Sequence, residues 1–137
     1  MTTTSRTFTV TPSPETVVEY LMDFAHAEEW DPGTETCMQI TDGPIEVGTT
    51  WLHVSTITGD RTELEYTLEE LAPQRIVLVG RSEAATSTDT IEVSPHGTGS
   101  EIRYTAELEV QDPTGPLPER LGDDTEEDLV RVLDRLS

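Results

Sequence analysis

His53 and Tyr66 are the side chains in this sequence best suited to moving a proton. They sit in "WLHVSTITGDRTELEY", two alternating runs joined by Gly59-Asp60. That pair suits a two-residue primed hairpin turn. A hairpin closing there sets Thr58 opposite Arg61 and His53 opposite Tyr66. A neutral imidazole beside a phenol can relay a proton or hold a polar group of a bound molecule. It can equally be satisfied by one hydrogen bond inside a core, and both readings stand. Asp89 shares strand parity with Ile91 and Val93 and so points inward. An inward carboxylate needs a partner, and Arg81 on the neighbouring strand is the expected one. The run "RIVLVGR" is apolar at both parities, which leaves the direction of Arg81 open. The catalytic candidates are therefore His53, Tyr66 and Asp89. The ligand-binding candidates are Trp51, His53, Tyr66, Leu68, Arg81 and Tyr104.

The remaining reactive types read more plainly. Trp30 is expected to be structural, while Trp51 suits cavity lining and core packing equally. Cys37, the only cysteine, is expected to be a small buried apolar group, with no nearby cation in sequence to lower its pKa. His26 and His96 fall in segments expected to be solvated. The three histidines lack metal-ligand spacing, so no metal is expected. No phosphate loop, Gly-x-Ser-x-Gly elbow or dinucleotide fingerprint is present, so no cofactor is expected either.

These residues must be held by strands. "RTFTVT" alternates Phe8 and Val10 with threonines, the period of a half-buried strand. "SPETVVEYLMDF" then starts a helix: Ser13 as N-cap, Pro14 at the first helical position, Glu15 in the first turn. Val17, Tyr20, Leu21 and Phe24 share one face of it. "AHAEEW" predicts a second short helix, ended by Asp31-Pro32-Gly33. Six strands follow near 34–41, 48–58, 61–71, 75–83, 86–94 and 100–111. In the hairpin register, Trp51, His53, Ser55 and Ile57 share a face with Leu64, Tyr66 and Leu68. Thr50, Thr56, Glu63, Glu65, Thr67 and Glu69 make the wet face. The last strand turns Ile102, Tyr104, Ala106, Leu108 and Val110 inward. Past "QDPTGPLPERLG", a final helix begins at Asp123 or Asp124 and presents Leu129, Val132, Leu133 and Leu136 on one face. The fold class predicted is α+β, a single domain over 1–137. About seven antiparallel strands form a curved sheet, two short helices follow strand 1, and the terminal helix crosses the concave face.

That order resembles the START-like, or helix-grip, superfamily (SRPBCC), and within it the polyketide cyclase/dehydrase-like group. The resemblance rests on "SPETVVEYLMDFAHAEEWDP", "DGPIEVGTTW", "ELAPQRIVLVG" and "HGTGSEIRYTAEL", in that order, and covers residues 5–136. Ser100 stands where the pattern usually has threonine. Gly122 interrupts what is often one unbroken terminal helix. The resemblance implies a container between sheet and helix for a small hydrophobic or aromatic molecule, lipid or polyketide-like. It also admits a cyclase/dehydratase-type enzyme, with His53 or Asp89 as base and Tyr66 or Arg81 polarising a carbonyl. A ligand-free protein-interaction module is the third reading, since fold does not choose among these.

The chain has 137 residues, with 28 Asp and Glu against 8 Arg, no lysine, and a net charge of −20. Such charge opposes binding to nucleic acid or anionic lipid heads. No apolar run is long enough to span a bilayer, and "MTTTSRTFTV" lacks a signal-peptide core. The expectation is a cytoplasmic protein, monomeric or weakly homodimeric, with no membrane insertion. The acids are dispersed, so they form a shell that repels itself in dilute buffer and is screened over ~3 Å at molar salt. An acidic shell of this kind suits a halophilic setting, although a GC-rich genome also favours arginine over lysine. Thermal melts across a salt series are expected to show the Tm climbing towards molar salt. A flat series overturns the shell reading.

Overall fold

The computed structural model describes residues 2–55, 62–83, 85–110 and 123–136. Seven strands run β1 (Thr2–Val10), β2 (Thr34–Gln39), β3 (Thr50–Ser55), β4 (Thr62–Ala72), β5 (Arg75–Arg81), β6 (Ala85–His96) and β7 (Gly99–Val110). Between β1 and β2 lie α1 (Pro14–Leu21), a 3₁₀ turn (Phe24–His26) and α2 (Ala27–Trp30). The terminal helix α3 spans Asp123–Asp134. All neighbours pair antiparallel in one sheet ordered β1-β7-β6-β5-β4-β3-β2. The predicted α+β helix-grip architecture is the one observed. No helix among the described residues is long and apolar enough to cross a membrane.

The helix-start chemistry works as its residue types require. Ser13 adopts extended backbone and its Oγ accepts from the Thr16 amide at 3.5 Å, with Pro14 at the helix start. One face of α1 buries Val17, Val18 and Leu21. Tyr20, expected on that face, stays half-buried because its hydroxyl donates outward to Glu29 at 2.6 Å. The chain then turns Phe24, Ala27 and Trp30 into the concave side of the sheet. Two tight points fix the seam where β1 meets β7. A Cβ on Gly99 would stand 2.2 Å from the Val10 carbonyl oxygen, and Ser100 donates its hydroxyl to the Pro12 carbonyl at 2.8 Å. Serine thus supplies the hydroxyl at the position where the family pattern has threonine.

The strands keep the predicted faces but not the predicted register. Trp51 pairs with Tyr66, and His53 with Leu64, a shift of two residues from His53 opposite Tyr66. A slip of two preserves which side chains share a face, so Trp51, His53 and Ser55 still join Leu64, Tyr66 and Leu68 in the interior. The Gly59-Asp60 turn, with Thr56, Ile57, Thr58 and Arg61, lies outside the described residues, as does the segment carrying Gly122. Between β4 and β5 the register shifts from Leu68↔Leu78 to Glu70↔Val77. That bulge sits beside the strand whose inward side was illegible. Regular alternation along β5 turns Ile76, Leu78 and Gly80 inward and leaves Arg75 and Arg81 exposed.

Helix α3 lies over β1 and beside α2. It buries Thr125, Leu129, Val132 and Leu133, while Leu136, expected on the same face, is exposed just past the helix end. Two polar ties hold it to β1 and its exit: Arg6 to Asp123 at 2.9 Å, and the Thr11 amide to Asp134 at 3.0 Å. The acids of its first turn complement the helix dipole. Leu133→Ala is expected to destabilise the protein by about 2–5 kcal/mol in denaturant titration. Leu136→Ala should stay within about 0.5 kcal/mol of the parent.

Candidate functional site

An aromatic cluster forms the heart of the concave side, built around Phe24 from the 3₁₀ turn. Its ring centroid lies 4.5 Å from Tyr66, 5.6 Å from His53, 6.4 Å from Trp51 and 6.5 Å from Trp30. Trp30 in turn meets Tyr104 edge-on at 5.9 Å. His53 and Tyr66 meet edge-on at 5.2 Å, so the two residues are neighbours despite the shifted register. Tyr66 lies flat enough over β5 that only a glycine fits beneath it. A Cβ on Gly80 would stand 2.6 Å from the Tyr66 ring.

Polar groups are set into this wall. Thr34 Oγ1 donates to Asp31 Oδ2 at 2.9 Å and lies 2.8 Å from His53 Nε2. Asp31 also accepts from the Gly33 amide at 3.0 Å. Trp51 Nε1 donates to Asp23 Oδ1 at 3.2 Å. Deeper in, Tyr104 donates its hydroxyl to Asp89, and both are buried. Ser87, two residues before Asp89 on β6, is buried as well. The sequence singled out His53, Tyr66, Asp89 and Tyr104 but carried no signal for Asp31 and Thr34. Their role depends on the α2–β2 turn folding back across β3, which no local pattern encodes.

The other candidates sort by direction. Trp51 and Leu68 face inward and are wholly buried. Arg81 does not face the cluster: it is exposed on the outer side of β5 and pairs with Glu69 at 2.8 Å. The expected Arg81–Asp89 pair is therefore corrected to Arg81–Glu69 and Asp89–Tyr104. Strand alternation from inward Gly80 forces this, and an outward guanidinium keeps its hydration. His26 is not simply solvated. It stacks on Tyr20 at 4.1 Å and its Nδ1 lies 2.7 Å from the Tyr20 carbonyl, so Nδ1 carries a hydrogen. Burial, with help from Glu29, raises the Tyr20 phenol well above its ordinary value. Cys37 is buried, and its thiol is pushed up to about 12 by burial first, then by Glu28, Asp23 and Asp31.

Trp51, Tyr66 and Leu68 have no accessible surface at all, so this wall is closed against the residues that face it. Open space lies elsewhere. A cleft of about 730 Å³ runs between α1 with its C-cap (Pro14, Val18, Met22) and the end of β4 with the turn after it (Leu71, Ala72, Pro73), with Pro95 also lining it.

The sequence over residues 1–137 matches the family model described as polyketide cyclase / dehydrase and lipid transport. Among curated proteins none matches. Solved structures share the fold. A START superfamily protein from Mycobacterium smegmatis superposes with a TM-score of 0.79 at 15% identity, covering 98% of this chain and 99% of that one. TTHA0849 from Thermus thermophilus gives 0.75 at 14% identity, covering 98% and 96%. The di-domain ARO/CYC StfQ from the steffimycin biosynthetic pathway gives 0.63 at 12% identity, covering 80% of this chain and 37% of that one. At such identities the likeness is one of fold.

Gly80→Ala is expected to cost about 1–3 kcal/mol by overpacking, measured by chemical denaturation. The same change in a Tyr66→Leu background should cost clearly less, because the clash partner is gone. Equal costs in both backgrounds would mean that Tyr66 is not what excludes a side chain at position 80.

Proposed function

We propose a function from one premise: this chain belongs to the polyketide cyclase / dehydrase and lipid transport family. The reading is that it binds a small hydrophobic or aromatic molecule, lipid or polyketide-like, on the concave side between the sheet and α3. One observation carries it. Asp89, Tyr104, Ser87, Tyr66 and His53 place polar atoms within one apolar wall. Burying such groups is unfavourable unless they are paired, and a core built for stability alone is more simply made of hydrocarbon. An apolar surface with a few convergent polar groups is what a ligand site requires.

The closed wall sets a condition on this reading. A guest reaches Tyr66 and His53 only when α3 or the Phe24–Trp30 segment moves aside, so binding is coupled to a shift of those elements. A second reading, a cyclase/dehydratase-type enzyme, is favoured by the Asp31–Thr34–His53 chain, which presents a histidine to a carboxylate through one hydroxyl. His53 or Asp89 serves there as the base and Tyr66 polarises a carbonyl. Arg81, on the outer face, takes no part.

The test uses an apolar fluorescent dye, together with native mass spectrometry for a co-purified compound. Tyr104→Phe and His53→Ala are each expected to weaken dye binding about two- to tenfold, the worth of one hydrogen bond. Ala72→Trp, which fills the α1 cleft, should leave it unchanged. Dye binding lost in Ala72→Trp and intact in the other two moves the site to the cleft and overturns the concave-side reading. So does a protein that binds no apolar molecule. Turnover that falls ~100-fold or more in His53→Ala would instead establish the enzyme.

A further inference from the structure

We infer that Asp31 and Thr34 are positioning residues that hold His53 as its Nε2–H tautomer and so make Nδ1 the basic nitrogen of the ring. The inference rests on the reading above only for the use His53 is put to; the tautomer itself is independent of any ligand.

Two hydrogen bonds share the protons of Thr34 and His53. Thr34 has one hydroxyl hydrogen. Asp31 Oδ2, at 2.9 Å, is a carboxylate oxygen and only accepts, so the hydrogen is spent there. The other carboxylate oxygen already accepts from the Gly33 amide at 3.0 Å, which fixes the carboxylate plane and marks it as the acceptor end of the chain. His53 Nε2 lies 2.8 Å from the same Thr34 oxygen. With the hydroxyl hydrogen committed, that contact forms only if Nε2 donates. The proton order Nε2–H to Oγ1–H to carboxylate then runs in one direction.

The three residues are held separately, so the order is built in rather than accidental. Asp31 ends α2 and is buried in the turn before β2; Thr34 begins β2; His53 comes from the middle of β3. The ring is fixed in plane by Phe24, stacked at 5.6 Å with 29° between planes, and by the edge-on Tyr66. Ser55, the next inward residue on β3, donates to the Gly33 carbonyl at 3.0 Å and pins the turn to the same strand. A histidine whose far nitrogen is oriented by a carboxylate-backed donor pair is the arrangement used wherever one tautomer has to be selected.

The chain has three histidines, so long-range proton–nitrogen NMR correlations resolve each ring, and His53→Gln identifies the His53 signals. Spectra are taken at the alkaline end of the titration, where the rings are neutral. The wild type is expected to show His53 protonated at Nε2 and bare at Nδ1. Thr34→Val keeps the shape but removes the hydroxyl, and His53 should lose this single tautomer and show a mixed or reversed pattern. Thr34→Ser should restore it. A wild-type His53 protonated at Nδ1, or a Thr34→Val pattern identical to the wild type, overturns the inference. Failure of dye binding with the tautomer pattern as expected sinks the ligand reading and leaves the positioning roles standing.

Discussion

Phe24 is the residue on which the interior depends. It arrives on a 3₁₀ turn that Asp23 caps through the Ala25 amide at 3.1 Å, and its ring meets Tyr66, His53, Trp51 and Trp30 at once. Four aromatic neighbours from three separate elements take their orientation from that ring. Aromatic pairs at these separations gain beyond their buried area by edge-to-face and offset geometry. The same Asp23 carboxylate also receives the Trp51 indole. The short helical segment is therefore the plug of the curved sheet, not a linker between strand and strand.

Much of this was legible because the signals were local. Ser13-Pro14-Glu15 marks a helix start through cap chemistry that depends on three adjacent residues. The strand runs follow a two-residue period that survives any register. What was illegible is non-local or breaks the period. The β3–β4 pairing has only a turn to mark it in the sequence, and a turn fixes register only when its own geometry is known. The bulge between Leu68 and Glu70 inserts a residue on β4 that alternation does not count, and on β5 apolar side chains at both parities leave the direction of Arg81 unmarked in the sequence. Asp31 and Thr34 were invisible because their partner lies on another strand. The concave aromatic and polar set was nameable in part, since His53, Tyr66, Asp89 and Tyr104 all obey strand parity. Whether they enclose a void is a matter of packing, which parity does not report.

The charge distribution separates outside from inside. Arg75 pairs with Glu70 and Glu92, Arg81 with Glu69, Arg131 with Asp128, all at the surface. Surface pairs of this kind add little stability singly, so they chiefly relieve repulsion in an acid-rich shell. The buried carboxylates use neutral donors instead, Tyr104 for Asp89 and Thr34 for Asp31, and the half-buried Asp23 takes the Trp51 indole. Interior carboxylates held by hydroxyls and amides escape the screening that governs the shell.

The double attachment of α3 has a mechanical meaning. Arg6 grips its first turn through Asp123, and Thr11 grips its last through Asp134, 123 positions away in sequence. Both grips belong to β1 and its exit, so the first strand and the final helix are joined by contacts that span nearly the whole sequence. Neither end of the chain closes the fold alone: the opening strand and the closing helix each complete the other's attachment.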